Sequence, residues 1–227
     1  MKEIPLSELP FHNLVKILQK IPFYRDVYAR NCGQLQFMLQ HSKIIYLEPG
    51  ETIIKKGEID FWIYSVVKGL LRVSPDDSGN PDTVVDYIAP GEMFGELAVI
   101  LETARSATVS GDENSKQIIL FGSDFSPFGE LDDFSRIALH TKLIFYKRAL
   151  RVTYKRLICY QIDHPEHEFT HQSLTPDPYT GKTETLEELK FYHQQAMHLA
   201  GMLQQWNQAL EIEFAKQHPS INLAPPK

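Results

Sequence analysis

The sequence predicts an α+β protein with a β-rich centre and helices on both sides of it. Three observations carry the prediction. Apolar residues recur at helical spacing before residue 41 and again after residue 136. Between those limits the pattern shortens to strand-like runs. Glycine or a Pro-Gly pair closes most of these runs, the punctuation of a β-sandwich or barrel. The expected organisation is N-terminal helices over 1–40, a β unit over 41–135, a C-terminal helical region over 136–218 and a loose tail over 219–227.

In the first part, Ser7 is the expected cap of a helix carrying Phe11, Leu14, Val15 and Leu18. Pro22 ends that helix. A second helical segment carries Tyr28, Leu35, Met38 and Leu39.

The strand runs begin with Ile44-Ile45-Tyr46-Leu47, closed by Pro49-Gly50, and Thr52-Ile53-Ile54-Lys55, closed by Gly57. Phe61 through Val67 and Leu70 through Val73 follow, separated by Gly69. Asp76 through Pro81 is a polar turn leading into Thr83 through Ile88, which Pro90-Gly91 closes. Gly57, Gly69 and Gly79 read as turn positions. Ala107 through Ser110 and Gln117 through Phe121 supply the last strands.

The stretch Phe94 through Val109 interrupts this series and carries the chemistry. Gly95 allows a sharp turn or close approach to a ligand. A short apolar helical turn follows, with free N–H groups at its start that suit an anion. Arg105 offers a planar fork of donors that matches phosphate oxygens bidentately. Glu96, ionised, only accepts, which suits the hydroxyls of a ribose.

These residues resemble the phosphate-binding cassette of the cyclic nucleotide-binding domain family, which includes kinase regulatory subunits and bacterial catabolite-activator regulators. Phe94-Gly95-Glu96-Leu97-Ala98 match its pattern, as do Arg105, Ala107, Thr108 and Val109. Ala104 stands where family members often carry proline. The resemblance covers roughly residues 23–155 and implies a jelly-roll barrel (double-stranded β-helix). It further implies a ligand site of Gly95, Glu96, Leu97, Ala98, Arg105, Ser106 and Ala107, with Val85 and Ile88 lining base and ribose. The ligand expected is cAMP, possibly cGMP; Ser106 carries a hydroxyl but does not decide between them. No cofactor and no metal is expected.

Residues 124–162 read as one or two helices. Leu143, Leu150 and Leu157 form a short heptad row, compatible with a homodimer seam through helix 136–162 or with packing on the chain itself. The same segment carries Lys142, Lys147, Arg148, Arg151, Lys155 and Arg156. These read as a solvated face, as a docking surface for an acidic partner, or as a contact to the nucleotide from Arg148 or Arg151. His164, His167 and His171 lie in a polar connector and lack the further ligand and geometry that zinc needs. Gly181-Lys182-Thr183 is no phosphate loop, because Pro176 stands where its first glycine belongs. Thr185 and Glu188 can cap a long amphipathic helix to Lys216, striped with Leu189, Ala196, Leu199, Leu203, Trp206 and Leu210.

The net charge of −6 argues against general nucleic-acid affinity, and no basic recognition helix follows the β unit, so DNA is not the expected partner. No run is long and apolar enough to span a membrane. Cys32 and Cys159 read as reduced thiols of a cytoplasmic protein. No nucleophile motif marks an enzyme. The reading that results is a stand-alone cyclic nucleotide receptor that signals through its C-terminal helices to a protein partner. The alternatives are a transcription regulator with a diverged DNA-binding segment and an adaptor that has lost its ligand.

Overall fold

Pro22 divides the N-terminal helices. In the computed structural model, which describes residues 1–75 and 83–217, α1 runs Phe11–Lys20 and α2 runs Pro22–Arg30. Proline suits a first helical position, where its missing N–H would have no intrahelical partner. α3 (Cys32–Gln40) is capped by Asn31, whose side chain accepts from the Gln34 amide at 3.1 Å. Ser7 does not begin a helix. It lies in the 3-10 turn Leu6–Glu8, and α1 starts after Pro10. Leu35 and Met38 are buried, but Tyr28 is 60% exposed. An unanticipated strand, β1 (Lys2–Pro5), pairs antiparallel with β2 (Ser42–Leu47). Four residues ending in proline give no strand signal of their own. β1 exists because β2 offers an edge to pair with.

The β region is two antiparallel sheets and not one closed barrel. One has the order β1-β2-β9-β4-β7 and the other β3-β8-β5-β6. The strands are β3 (Thr52–Ile54), β4 (Trp62–Lys68), β5 (Leu71–Ser74), β6 (Asp86–Ile88), β7 (Met93–Phe94), β8 (Thr108–Gly111) and β9 (Ile118–Asp124). Ile45, Val66 and Leu120 from the first sheet meet Leu71, Ile88 and Val109 from the second in one buried cluster. Their neighbours Ile44, Ile63 and Phe121 belong to a second cluster, shared with the helices. Successive strand residues point to opposite faces. The first sheet is therefore covered on both faces, which explains its continuous apolar runs. The turn expected at Asp76–Pro81, with Gly79, and the tail 219–227 lie outside the described residues.

α4 (Glu96–Leu101) follows β7 directly. α5 (Leu139–Asp163) and α6 (Leu186–Gln217) pack along each other, and α6 also lies on α4. Leu143, Leu150 and Leu157 are buried within the chain, so the row that suggested pairing with a second copy is used internally. The α6 stripe is buried from Leu189 to Leu210. Thr185 Oγ1 accepts from the Glu188 amide at 3.2 Å, and Glu188 returns a carboxylate oxygen to the Glu184 amide at 2.6 Å. His167 stacks on Trp206 at 4.3 Å, and its Nδ1 accepts from the Phe169 amide at 3.1 Å to cap a 3-10 turn.

Candidate functional site

Gly95 makes the turn from β7 into α4 at φ +86°, in the left-handed region that glycine favours. Space demands glycine as well. A Cβ there would lie 2.9 Å from an Arg105 nitrogen and 3.0 Å from the Trp62 carbonyl oxygen. The close approach has a purpose, since one terminal nitrogen of Arg105 donates to the Gly95 carbonyl at 2.6 Å.

Arg105 is almost fully buried. Its backbone, between α4 and β8, is held against the β3–β4 loop by two bonds: its amide donates to the Glu58 carbonyl and its carbonyl accepts from the Gly57 amide. Its guanidinium is held by Asp60, through Nε at 3.2 Å and through the second terminal nitrogen, which also donates to the Trp62 carbonyl. The Trp62 amide in turn donates to Asp60 at 2.8 Å. Of the five guanidinium N–H groups, four have partners inside the protein. The bidentate phosphate clamp expected from sequence is therefore not what this arginine offers. Asp60 has taken the fork, leaving one N–H for a ligand. Nothing in the sequence marked Asp60, one of two carboxylates in a polar turn and 45 residues from Arg105.

Glu96 is completely buried at the first position of α4. One carboxylate oxygen, Oε1, accepts from Arg156 of α5 at 2.7 Å. The other, Oε2, is buried without a partner. Arg156 also donates to the Met93 carbonyl at 2.7 Å and lies 3.9 Å from Asp86. Burial works against the Arg156 charge, but Glu96 and Asp86 more than offset it and raise its pKa. Burial raises the pKa of Asp86, against the pull of Arg156. Arg156 was one of six bases on α5, and only the fold distinguishes it. Arg148 instead pairs with Asp26 of α2, and Arg151 is exposed.

A cavity of about 60 Å³ lies beside Arg105, Asp86 and Arg156, and Glu96 is not among the residues that line it. Gly95, Leu97, Ala98, Arg105, Ser106 and Ala107 line its cassette side, and Ile88 and Asp86 line it from β6. Val85 does not reach it and packs instead toward the helix-side core. Strand geometry explains the correction, because residues 86 and 88 share a face and residue 85 takes the other. The wall opposite the cassette comes from Arg156 and Tyr160 of α5 and Leu203 and Asn207 of α6. Asn207 donates from its amide nitrogen to the Ser106 hydroxyl at 3.0 Å and accepts from the Tyr160 hydroxyl at 3.1 Å. Among the described residues no cluster of three metal-ligating side chains occurs.

Residues 44–130 match the family model described as the cyclic nucleotide-binding domain. This segment belongs to that family. The chain is 29% identical over 76 residues to the cyclic AMP receptor protein of Thermus thermophilus, which covers 34% of this chain and 35% of that protein. It is 38% identical over 60 residues to the cAMP-dependent protein kinase regulatory subunit of Blastocladiella emersonii, covering 26% of this chain and 15% of that one. A solved structure, the regulatory subunit of a cAMP-independent protein kinase A from Trypanosoma brucei, aligns at 21% identity and a TM-score of 0.41, over 50% of this chain and 38% of that chain. The chain thus spans well under half the length of each of these relatives. Of the site, Glu96 and Arg105 lie in the cyclic nucleotide-binding segment, whereas Arg156, Tyr160, Leu203 and Asn207 lie beyond it. No described helix is long and apolar enough to cross a membrane.

Proposed function

We propose that this protein is a receptor for a cyclic nucleotide, with cAMP the favoured ligand, and that it signals through α5 and α6 to a protein partner. One observation carries the reading. Glu96 is fully buried with Oε2 unpartnered, nine residues before a buried arginine that keeps one N–H free. A buried acceptor without a donor is costly, and a ribose hydroxyl supplies the donor. The phosphate is assigned to Arg105 and to the backbone amides of Leu97, Ala98, Val99 and Ala107. The two sheets, with their strands crossing from one to the other, are read as the jelly roll that the family resemblance implies. Two of the named relatives, a cyclic AMP receptor protein and a cAMP-dependent kinase regulatory subunit, support cAMP; cGMP-dependent protein kinases match as well, which is why cGMP is titrated beside it. The role is binding and regulation, with no catalytic step assigned to any residue.

Calorimetric titration with cAMP and, separately, cGMP tests the proposal. The expected result is micromolar or tighter binding of one of them. Arg105→Ala should weaken it about 30-fold or more, the effect of removing one partner from a buried charged contact. Arg105→Lys, which keeps the charge and loses the fork, separates lost binding from lost folding. Unchanged affinity in Arg105→Ala would remove the phosphate assignment.

A further inference from the structure

The cavity beside the cassette is too small for the ligand its walls describe. It measures about 60 Å³, whereas sites for small molecules run from roughly 300 Å³ upward. The missing room is taken by the chain itself. Leu203 and Asn207 come down from α6, and Tyr160 comes across from α5. Leu203 is 2% exposed and Asn207 4%, so both are seated and not lying loosely over the opening.

The seating is polar where a ligand would be polar. Asn207 occupies the Ser106 hydroxyl, directly after the cassette arginine, and Tyr160 satisfies the carbonyl of the same amide. Two more contacts hold this part of α6 to the cassette side: Gln204 donates weakly to the Thr103 hydroxyl at 3.5 Å, and Glu211 pairs with Lys56 beside β3. Side chains over residues 203–211 thus perform the tasks of a bound molecule, filling apolar volume and pairing the cassette hydroxyl.

We propose that α6 is an internal competitor of the nucleotide: ligand and residues 203–211 exclude one another, so binding expels this part of α6 from the cavity. The inference rests on the receptor reading above and goes beyond it by fixing the direction of the switch. The nucleotide lifts α6 and does not draw it down. A ligand that must first displace a resident group binds with an apparent affinity reduced by the fraction of molecules that are open.

Hydrogen exchange read by mass spectrometry on the full chain, with and without saturating cAMP, tests the direction. Peptides covering 199–214 should exchange faster with cAMP present; slower or unchanged exchange there overturns the proposal. Asn207→Ala removes one clasp and should tighten cAMP binding about fivefold, the factor that one hydrogen bond contributes. Equal or weaker binding by that variant also overturns the proposal, because Asn207 would then be a bystander or a ligand contact. The two readings fail separately. If wild-type protein binds neither cAMP nor cGMP, the receptor reading falls and the competition with it. If it binds while α6 gains protection, only the competition falls.

Discussion

Arg156→Met is the most informative stability perturbation. The wild-type pair joins a fully buried carboxylate to a guanidinium at 2.7 Å, across the boundary between α4 and α5. Removing the arginine strands Glu96, since Oε1 loses this partner and Oε2 has none to begin with. Breaking one side of a buried pair costs about 3–5 kcal/mol, a large part of the 5–15 kcal/mol that roughly bounds a domain's stability. For a chain of this size that corresponds to a fall of roughly 6–20 °C in melting temperature. Glu96→Gln in the same background removes the stranded charge and should recover part of the loss. Urea unfolding of wild type, both single variants and the double variant, without nucleotide, yields the coupling directly. We expect about 1–3 kcal/mol between the two positions. A loss below about 1 kcal/mol in Arg156→Met, or costs that simply add in the double variant, would refute the claim that this pair holds the cassette to α5.

Gly95→Ala should lower stability by more than the ~1 kcal/mol typical of a glycine replacement at positive φ, because its Cβ also meets the Trp62 carbonyl oxygen and the Arg105 side chain; an unchanged thermal midpoint would show that the turn can relax. A pH effect is expected at His193 of α6, which stands edge-on to Tyr146 of α5 at 4.9 Å. Burial holds its pKa below the ordinary value, with Glu102 pulling the other way. As pH falls below about 6.5, the unfolded chain takes up a proton that the folded chain resists, so stability present at neutral pH is lost on acidification. His193→Gln should flatten that slope in denaturant midpoints taken between pH 5 and 7. His140, shifted in the same direction, keeps some of the slope.

The cassette was legible because its chemistry is local: Gly95, Glu96 and Arg105 lie within one turn and a short helix, where spacing alone places them. The partners of its charges were not legible. Asp60 resembles any acid in a turn, and Arg156 sits in a row of bases that sequence cannot rank, because rank depends on which side of α5 the first sheet and α4 cover. Val85 and Ile88 were expected to line the site together, but residues three apart in a strand take opposite faces. β1 could not be foreseen, since its pairing is supplied by β2. The α6 stripe was visible as an apolar row, yet sequence could not show that Leu203 and Asn207 end inside the cavity. That depends on how a helix about a hundred residues away is packed on α4 and α5.

The length of α6 sets a mechanical scale for the molecule. Its 32 residues span about 48 Å as one rod. Near one end, Glu188 meets Lys147 of α5, and just before the helix begins Glu184 meets Arg30 of α2. Toward the other end, Asn207 and Glu211 meet the cassette and β3. The two anchorages are about 28 Å apart along the axis, and a stiff rod gripped at both ends cannot tilt at one without loading the other. Substitutions near the α2–α5 surface, remote from any nucleotide, therefore act on the same lever as those in the cavity, and their effects should be read as changes in leverage before they are read as changes in local contacts.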